Sequence, residues 1–159
     1  SAFYHNHNVR RPKYYNNVSY QCDRFFWQWQ LNSIDSEFWN NIAARTGGGS
    51  SWFIDIINSL GGSPDFSPHI AYSDYNAVHG LSSFAQNADG NQYTTRAAWT
   101  TAQGFDANTG TSDPLFTNAA AEDFTLQAGS PYLSNGRGGA YATQRGAFGL
   151  GNARVGTDW

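Results

Sequence analysis

Short apolar runs bounded by turn residues recur through the first half of the chain. Phe25-Phe26-Trp27-Gln28-Trp29-Gln30 and Ser51-Trp52-Phe53-Ile54-Asp55-Ile56-Ile57 read as β-strands, and Gly47-Gly48-Gly49 marks the turn before the second. Between them lies an echo. Tyr14-Tyr15-Asn16-Asn17-Val18-Ser19-Tyr20 aligns with Phe38-Trp39-Asn40-Asn41-Ile42-Ala43-Ala44 at a spacing of 24, aromatic on aromatic and Asn on Asn. His69 to Asn76 forms a looser third copy, and Tyr4-His5-Asn6 matches the end of an earlier one. Strands that return every two dozen residues, with Asn at a fixed place, describe stacked repeats. Asn suits that place because it tolerates a left-handed corner. Its amide can also bond the equivalent amide one strand spacing away, about 4.8 Å.

The second half changes character. Thr94 to Gln103 predicts a short helix, with Thr94 or Thr95 as N-cap and Gly104 just past its end. Pro114, Gly129, Pro131 and Gly136 then interrupt any strand rhythm. A stack of repeats must end somewhere, and such a segment folds back over the apolar surface and unpaired edge of its last layer. This divides the chain into stacked layers over 1–92 and a terminal, capping portion over 93–159. The other end begins inside a strand, Phe3-Tyr4-His5, and predicts that upstream coils or another chain cover it.

Composition narrows the function. The 159 residues suit one domain, and aromatics at 16% argue against a disordered tail. Charged residues are 13% and the net charge is −3, so there is no basic field for nucleic acid or an anionic membrane surface. No apolar run approaches the roughly 18 residues of a membrane span. A lone cysteine, Cys22, excludes an internal disulfide and any zinc site built on paired thiolates, and reads as an inert thiol. The absence of methionine reads as a processed or excised piece. A single lysine, Lys13, with abundant Asn, Gly, Ser and Thr, suits a secreted or cell-surface protein that faces sugars.

The tail carries a resemblance. Asp113-Pro114-Leu115-Phe116, then Asp123-Phe124-Thr125-Leu126-Gln127-Ala128-Gly129-Ser130-Pro131, Gly136 and Gly146-Ala147-Phe148 resemble the C-terminal end of pectin-lyase-like proteins. The resemblance covers roughly residues 14 to 148. It implies an all-β fold, a right-handed parallel β-helix (a solenoid) with a C-terminal capping segment containing a short helix. It also implies an extracellular protein that binds or degrades polysaccharide, as a polysaccharide lyase or related depolymerase. The alternative, in a different class, is a non-catalytic structural or adhesive β-helix such as a surface filament subunit or phage tailspike portion.

Candidate chemistry concentrates near the N-terminus. His5-Asn6-His7-Asn8-Val9-Arg10-Arg11-Pro12-Lys13 is similar to a shortened pectate-lyase stretch in which an arginine removes the proton α to a uronate carboxylate. By that resemblance Arg10, Arg11 and Lys13 are the catalytic candidates, since lyase chemistry needs a base and a cation for the enolate-like charge. The opposing reading makes them solvated turn cations, and 159 residues are not expected to hold a complete lyase site. His5 and His7 alternate along a strand and share one face. Trp27 and Trp29 share a face too, with Phe26, Gln28 and Gln30 on the other, and an aromatic pair beside amides makes a platform for a sugar ring. These four residues are the substrate-binding candidates. No metal site or cofactor is expected; Ca²⁺ has only the turn Asp89-Gly90-Asn91 in its favour, which no specific motif supports. Gly47-Gly48-Gly49 lacks the Lys-Ser/Thr of a phosphate loop.

Overall fold

The computed structural model describes residues 1–6, 8–29, 33–57, 66, 69–86, 92–138 and 143–148. Strands β1 (Phe3–His5), β4 (Arg24–Gln28), β7 (Trp52–Ile56) and β10 (Ser83–Gln86) pair side by side in parallel, and β11 (Gln92–Tyr93) closes this sheet antiparallel to β10. A second parallel sheet joins β2 (Lys13–Tyr15), β5 (Ser36–Trp39) and β8 (Ile70–Asp74). A third joins β3 (Val18–Tyr20), β6 (Ile42–Ala44) and β9 (Ala77–His79). An antiparallel pair, β12 (Phe116–Asn118) and β13 (Asp123–Leu126), stands apart. Helix α1 (Arg96–Gln103) is capped by the Thr95 hydroxyl and stopped by left-handed Gly104, close to the ends its sequence predicts.

The echo at a spacing of 24 is a strand register. Tyr14 lies opposite Phe38, Tyr15 opposite Trp39 and Val18 opposite Ile42. The next step is longer, placing Ile42 opposite Ala77. Within each asparagine pair the two residues divide the work. Asn16 (φ 54°) and Asn40 (φ 55°) adopt the left-handed backbone that turns the corner, and Tyr75 (φ 56°) does so in the third copy. Asn17, Asn41 and Asn76 then bond one another. The backbone N–H and Nδ2 of Asn17 donate to Asn41 Oδ1 at 3.1 and 3.0 Å, and those of Asn41 donate to Asn76 Oδ1 at the same distances.

The expected right-handed parallel β-helix with a capping segment is corrected by this arrangement. The described strands form several small, separate sheets, parallel in part and mixed or antiparallel elsewhere, with one helix among them; they do not form a single solenoid. Two physical causes operate. Left-handed residues at Asn16, Asn40 and Tyr75 break the ladder between neighbouring strands of three to five residues, so each segment pairs as its own sheet. Beyond β10 the repeat is lost, and local pairing gives the antiparallel strand β11 and the β12–β13 hairpin.

Apolar burial holds the layers together. Phe25, Phe53 and Phe84 succeed one another across neighbouring strands, with centroids 5.1 and 5.4 Å apart, beside Phe26, Ile54 and Ala85. Trp99 of α1 packs edge-on to Phe66 at 4.6 Å. Its indole N–H reaches the fully buried carboxylate of Asp106 at 2.9 Å, which also takes the Thr109 hydroxyl at 2.6 Å and Asn76 Nδ2 at 3.3 Å. Burial pushes the Asp106 carboxyl up, against the opposing effect of bonds from Ser73, Thr109, Trp99 and Asn76. The asparagine ladder therefore ends, on this side, in Asp106 and Thr109.

The tail docks on the corners. Leu126 and Tyr132 are buried with Ile42 and Ala77, while Phe124 and Phe148 are half-buried. Gly146 donates its N–H to the Asn40 carbonyl at 2.6 Å, so close that a Cβ there would lie 2.7 Å from Ile42 Cδ1. Buried Arg145 spreads its guanidinium over the carbonyls of Asn76, Asn108 and Asn135.

Candidate functional site

The side chains that best satisfy a binding chemistry lie on the five-stranded sheet. In β4 Phe25 and Phe26 are both buried, and in β7 every residue from Phe53 to Ile56 is, so strict alternation fails there. Residues three apart then meet. The Arg24 guanidinium carbon sits 4.8 Å from the Trp27 ring centroid and 4.9 Å from that of Trp52. Arg24 is thus held between two indoles, an arrangement that a planar, weakly hydrated guanidinium favours over an ammonium.

Around this sandwich the aromatic surface continues. Tyr4, 47% exposed, stands opposite Trp27 in the register with its ring 4.8 Å away, and Trp29 meets Trp27 edge-on at 5.4 Å. Beneath the guanidinium, Arg24 Nε donates to Asp55, whose carboxylate is fully buried. Burial pushes the Asp55 carboxyl up, and the Arg24 bond and charge act in the opposite direction. Asp55 Oδ1, Trp27 Nε1 and Trp52 Nε1 are enclosed with no hydrogen-bond partner. Buried polar groups are normally paired, and three such atoms lie around this one arginine. Ser83 follows Trp52 in the register and lines a cleft of about 420 Å³, together with Phe84, Leu81, Thr95 and Arg96.

The residues proposed from sequence are dispersed around this centre. Trp27 and Trp29 belong to it. Arg10 forms a parallel bridge with Ile34, Arg11 lies 3.8 Å from Asp35, and Lys13 lies 3.7 Å from Glu37 and 6.0 Å from the Trp39 ring. These cations accompany the β2–β5 sheet, whereas the cation on the indoles is Arg24. His5 is buried, with Nε2 against the Tyr14 hydroxyl and its ring edge-on to Phe26 at 4.9 Å. Burial lowers the His5 pKa and pushes Tyr14 up to about 12. His7, Gln30 and the turn Asp89-Gly90-Asn91 lie outside the described residues.

Sequence reasoning missed Arg24, Trp52 and Asp55. Each falls in or beside a strand that was recognised, but only the register between strands 28 residues apart joins them. A second cation–aromatic group stands on the other sheet, where Arg137 lies 4.4 Å from Tyr72 and 5.0 Å from Trp39. Trp39 is fully buried there, stacked on Tyr15 at 5.0 Å and 2°, and offers no free ring face of comparable size. Among the described residues no three His, Cys, Asp or Glu side chains gather as metal ligands, and no helix is long and apolar enough to cross a membrane.

Compared with known protein families, curated proteins and solved structures, the chain matches none. Nothing in those comparisons identifies it as pectin-lyase-like.

Proposed function

We propose that this protein binds acidic polysaccharide through the Tyr4–Trp27–Arg24–Trp52 face. The observation that carries the reading is the Arg24 guanidinium, sandwiched by Trp27 and Trp52 and anchored through Nε to buried Asp55. The anchor fixes the planar group, and its terminal nitrogens are left for a sugar carboxylate, which a guanidinium meets with two parallel hydrogen bonds. Indole and phenol faces cover the C–H side of sugar rings, a contact driven by apolar burial. The face suits a chain-like ligand, because its side chains recur at the strand spacing, Tyr4 opposite Trp27 and Arg24 opposite Trp52.

Isothermal titration against oligogalacturonate, alginate and neutral oligosaccharides tests this. Trp27→Ala is expected to weaken acidic and neutral ligands alike. Arg24→Lys keeps a charge beside Asp55 but loses the fork, and is expected to weaken the acidic ligands alone by about tenfold. That loss should shrink as salt is added. Silence across the panel with an intact fold would overturn the proposal. Release of unsaturated product, read as ultraviolet absorbance, separates a depolymerase from a binding or adhesive protein.

A further inference from the structure

Strands β1, β2 and β3 are consecutive in the chain, and each is the edge strand of its sheet. On their inner side they pair with residues 24–44. On their outer side no strand among the described residues pairs with them. The opposite end of the stack is closed, since Asp106 and Gly110 donate their N–H groups to the carbonyls of Ser73 and Asn76. An unpaired edge is a template for another strand.

The edge also states what that strand should carry. In the ladder each Oδ1 takes two N–H donors from the layer before it: Asn41 from Asn17, and Asn76 from Asn41. Asn17 Oδ1 is the acceptor at the open end, where a further asparagine would donate. Charge runs the same way. Segment 34–44 sets Asp35 against Arg11 and Glu37 against Lys13. Arg11 is nonetheless 83% exposed and Lys13 51%, with Arg10 beside them also exposed. A second copy meeting this end about a two-fold axis would bring two positively charged patches to one interface, which disfavours it.

We propose that the open edge of β1, β2 and β3 receives an extended acidic segment of a separate polypeptide partner. It lies parallel to β2 and β3, with carboxylates against Arg11 and Lys13 and an asparagine donating to Asn17 Oδ1. Backbone pairing supplies attachment, and the charges and the amide set the register.

Segment 34–44 of this chain has that chemistry, so a synthetic peptide of its sequence is the probe. Titrated into the full ¹⁵N-labelled chain at millimolar concentration, it should shift the amides of residues 13–20 saturably, and less so in high salt. The double variant R11E/K13E removes two exposed ion pairs, each worth up to about fivefold, and should weaken the peptide accordingly. A peptide with lysine in place of both acids should bind that variant better than the native chain. The Trp99 indole, far from the substitutions in the core, reports that the variant is folded. Absence of saturable shifts, indifference to the charge swap, or shifts confined to Trp27 and Trp52 would overturn the proposal. Concentration-dependent changes at the same amides without peptide would overturn it in favour of self-association.

Discussion

Replacing Asn41 by Ala cuts the centre of the asparagine ladder. Asn41 is fully buried, and its side chain makes four hydrogen bonds: Nδ2 to the Tyr14 carbonyl at 2.9 Å and to Asn76 Oδ1 at 3.0 Å, and Oδ1 from the N–H and Nδ2 of Asn17. Alanine orphans the Asn17 N–H and deprives the Tyr14 carbonyl of this donor. Each buried group left unpaired costs about 1–3 kcal/mol, giving an expected loss of about 2–6 kcal/mol. Asn17→Ala is the internal comparison. It removes only the donor bonds to Tyr15 O and Asn41 Oδ1 from a half-buried side chain, and leaves the Asn17 N–H paired. Its expected cost is about 1 kcal/mol. Urea denaturation followed by tryptophan fluorescence measures both, with an unchanged slope showing that the denatured state is the same. Should N41A cost less than about 1 kcal/mol, or N17A cost as much as N41A, the ladder does not hold the layers as described.

Further substitutions test other parts of the fold. Tyr75 turns its corner at φ 56°, where the first two copies use Asn; Tyr75→Asn should relieve the left-handed strain and raise stability by about 0.5–1 kcal/mol, read as a higher denaturant midpoint. Burial lowers the His5 pKa from 6.5, so below that pH the unfolded chain takes up the proton first. Stability should therefore fall as pH drops below 6.5, and His5→Gln should flatten that part of the curve; an unchanged slope would mean that His5 carries none of it. Gly110→Ala would bring a Cβ to 2.6 Å from the hydroxyl of buried Tyr132. Overpacking of this kind costs about 1–3 kcal/mol, and a neutral result would show that the tail adjusts freely.

The first step of the layering was legible because an asparagine pair and its aromatics recur 24 residues on, and side chains at matching positions of parallel strands lie side by side. Tyr14 on Phe38 and Val18 on Ile42 follow from that interval. The helix ends were legible from Thr95 and Gly104, whose capping roles are local. Assembly into separate sheets was not, because it depends on which residues turn left-handed, and Tyr75 gives no sign of it in its side-chain type. Arg24 escaped notice for a related reason. Its partners Trp52 and Asp55 stand in the next strand, and the alternation that would have put Arg24 and Trp27 on opposite faces fails where Phe25 and Phe26 are both buried. Likewise Arg145 reaches the carbonyl of Asn76 across 69 residues, with no local pattern to announce it.

Indole chemical shifts give the plainest test of the Arg24 face. In a ¹⁵N-labelled sample titrated with oligogalacturonate, the indole N–H signals of Trp27 and Trp52 should move together along one saturation curve, and Trp29 should follow as their neighbour. Trp39 and Trp99 are fully buried elsewhere and should stay still. Arg24→Lys should diminish the movement, and a neutral oligosaccharide should leave that difference small. Binding that moves Trp39 or Trp99 while Trp27 and Trp52 remain fixed, or saturating ligand that moves none of them, would contradict polysaccharide recognition on this face.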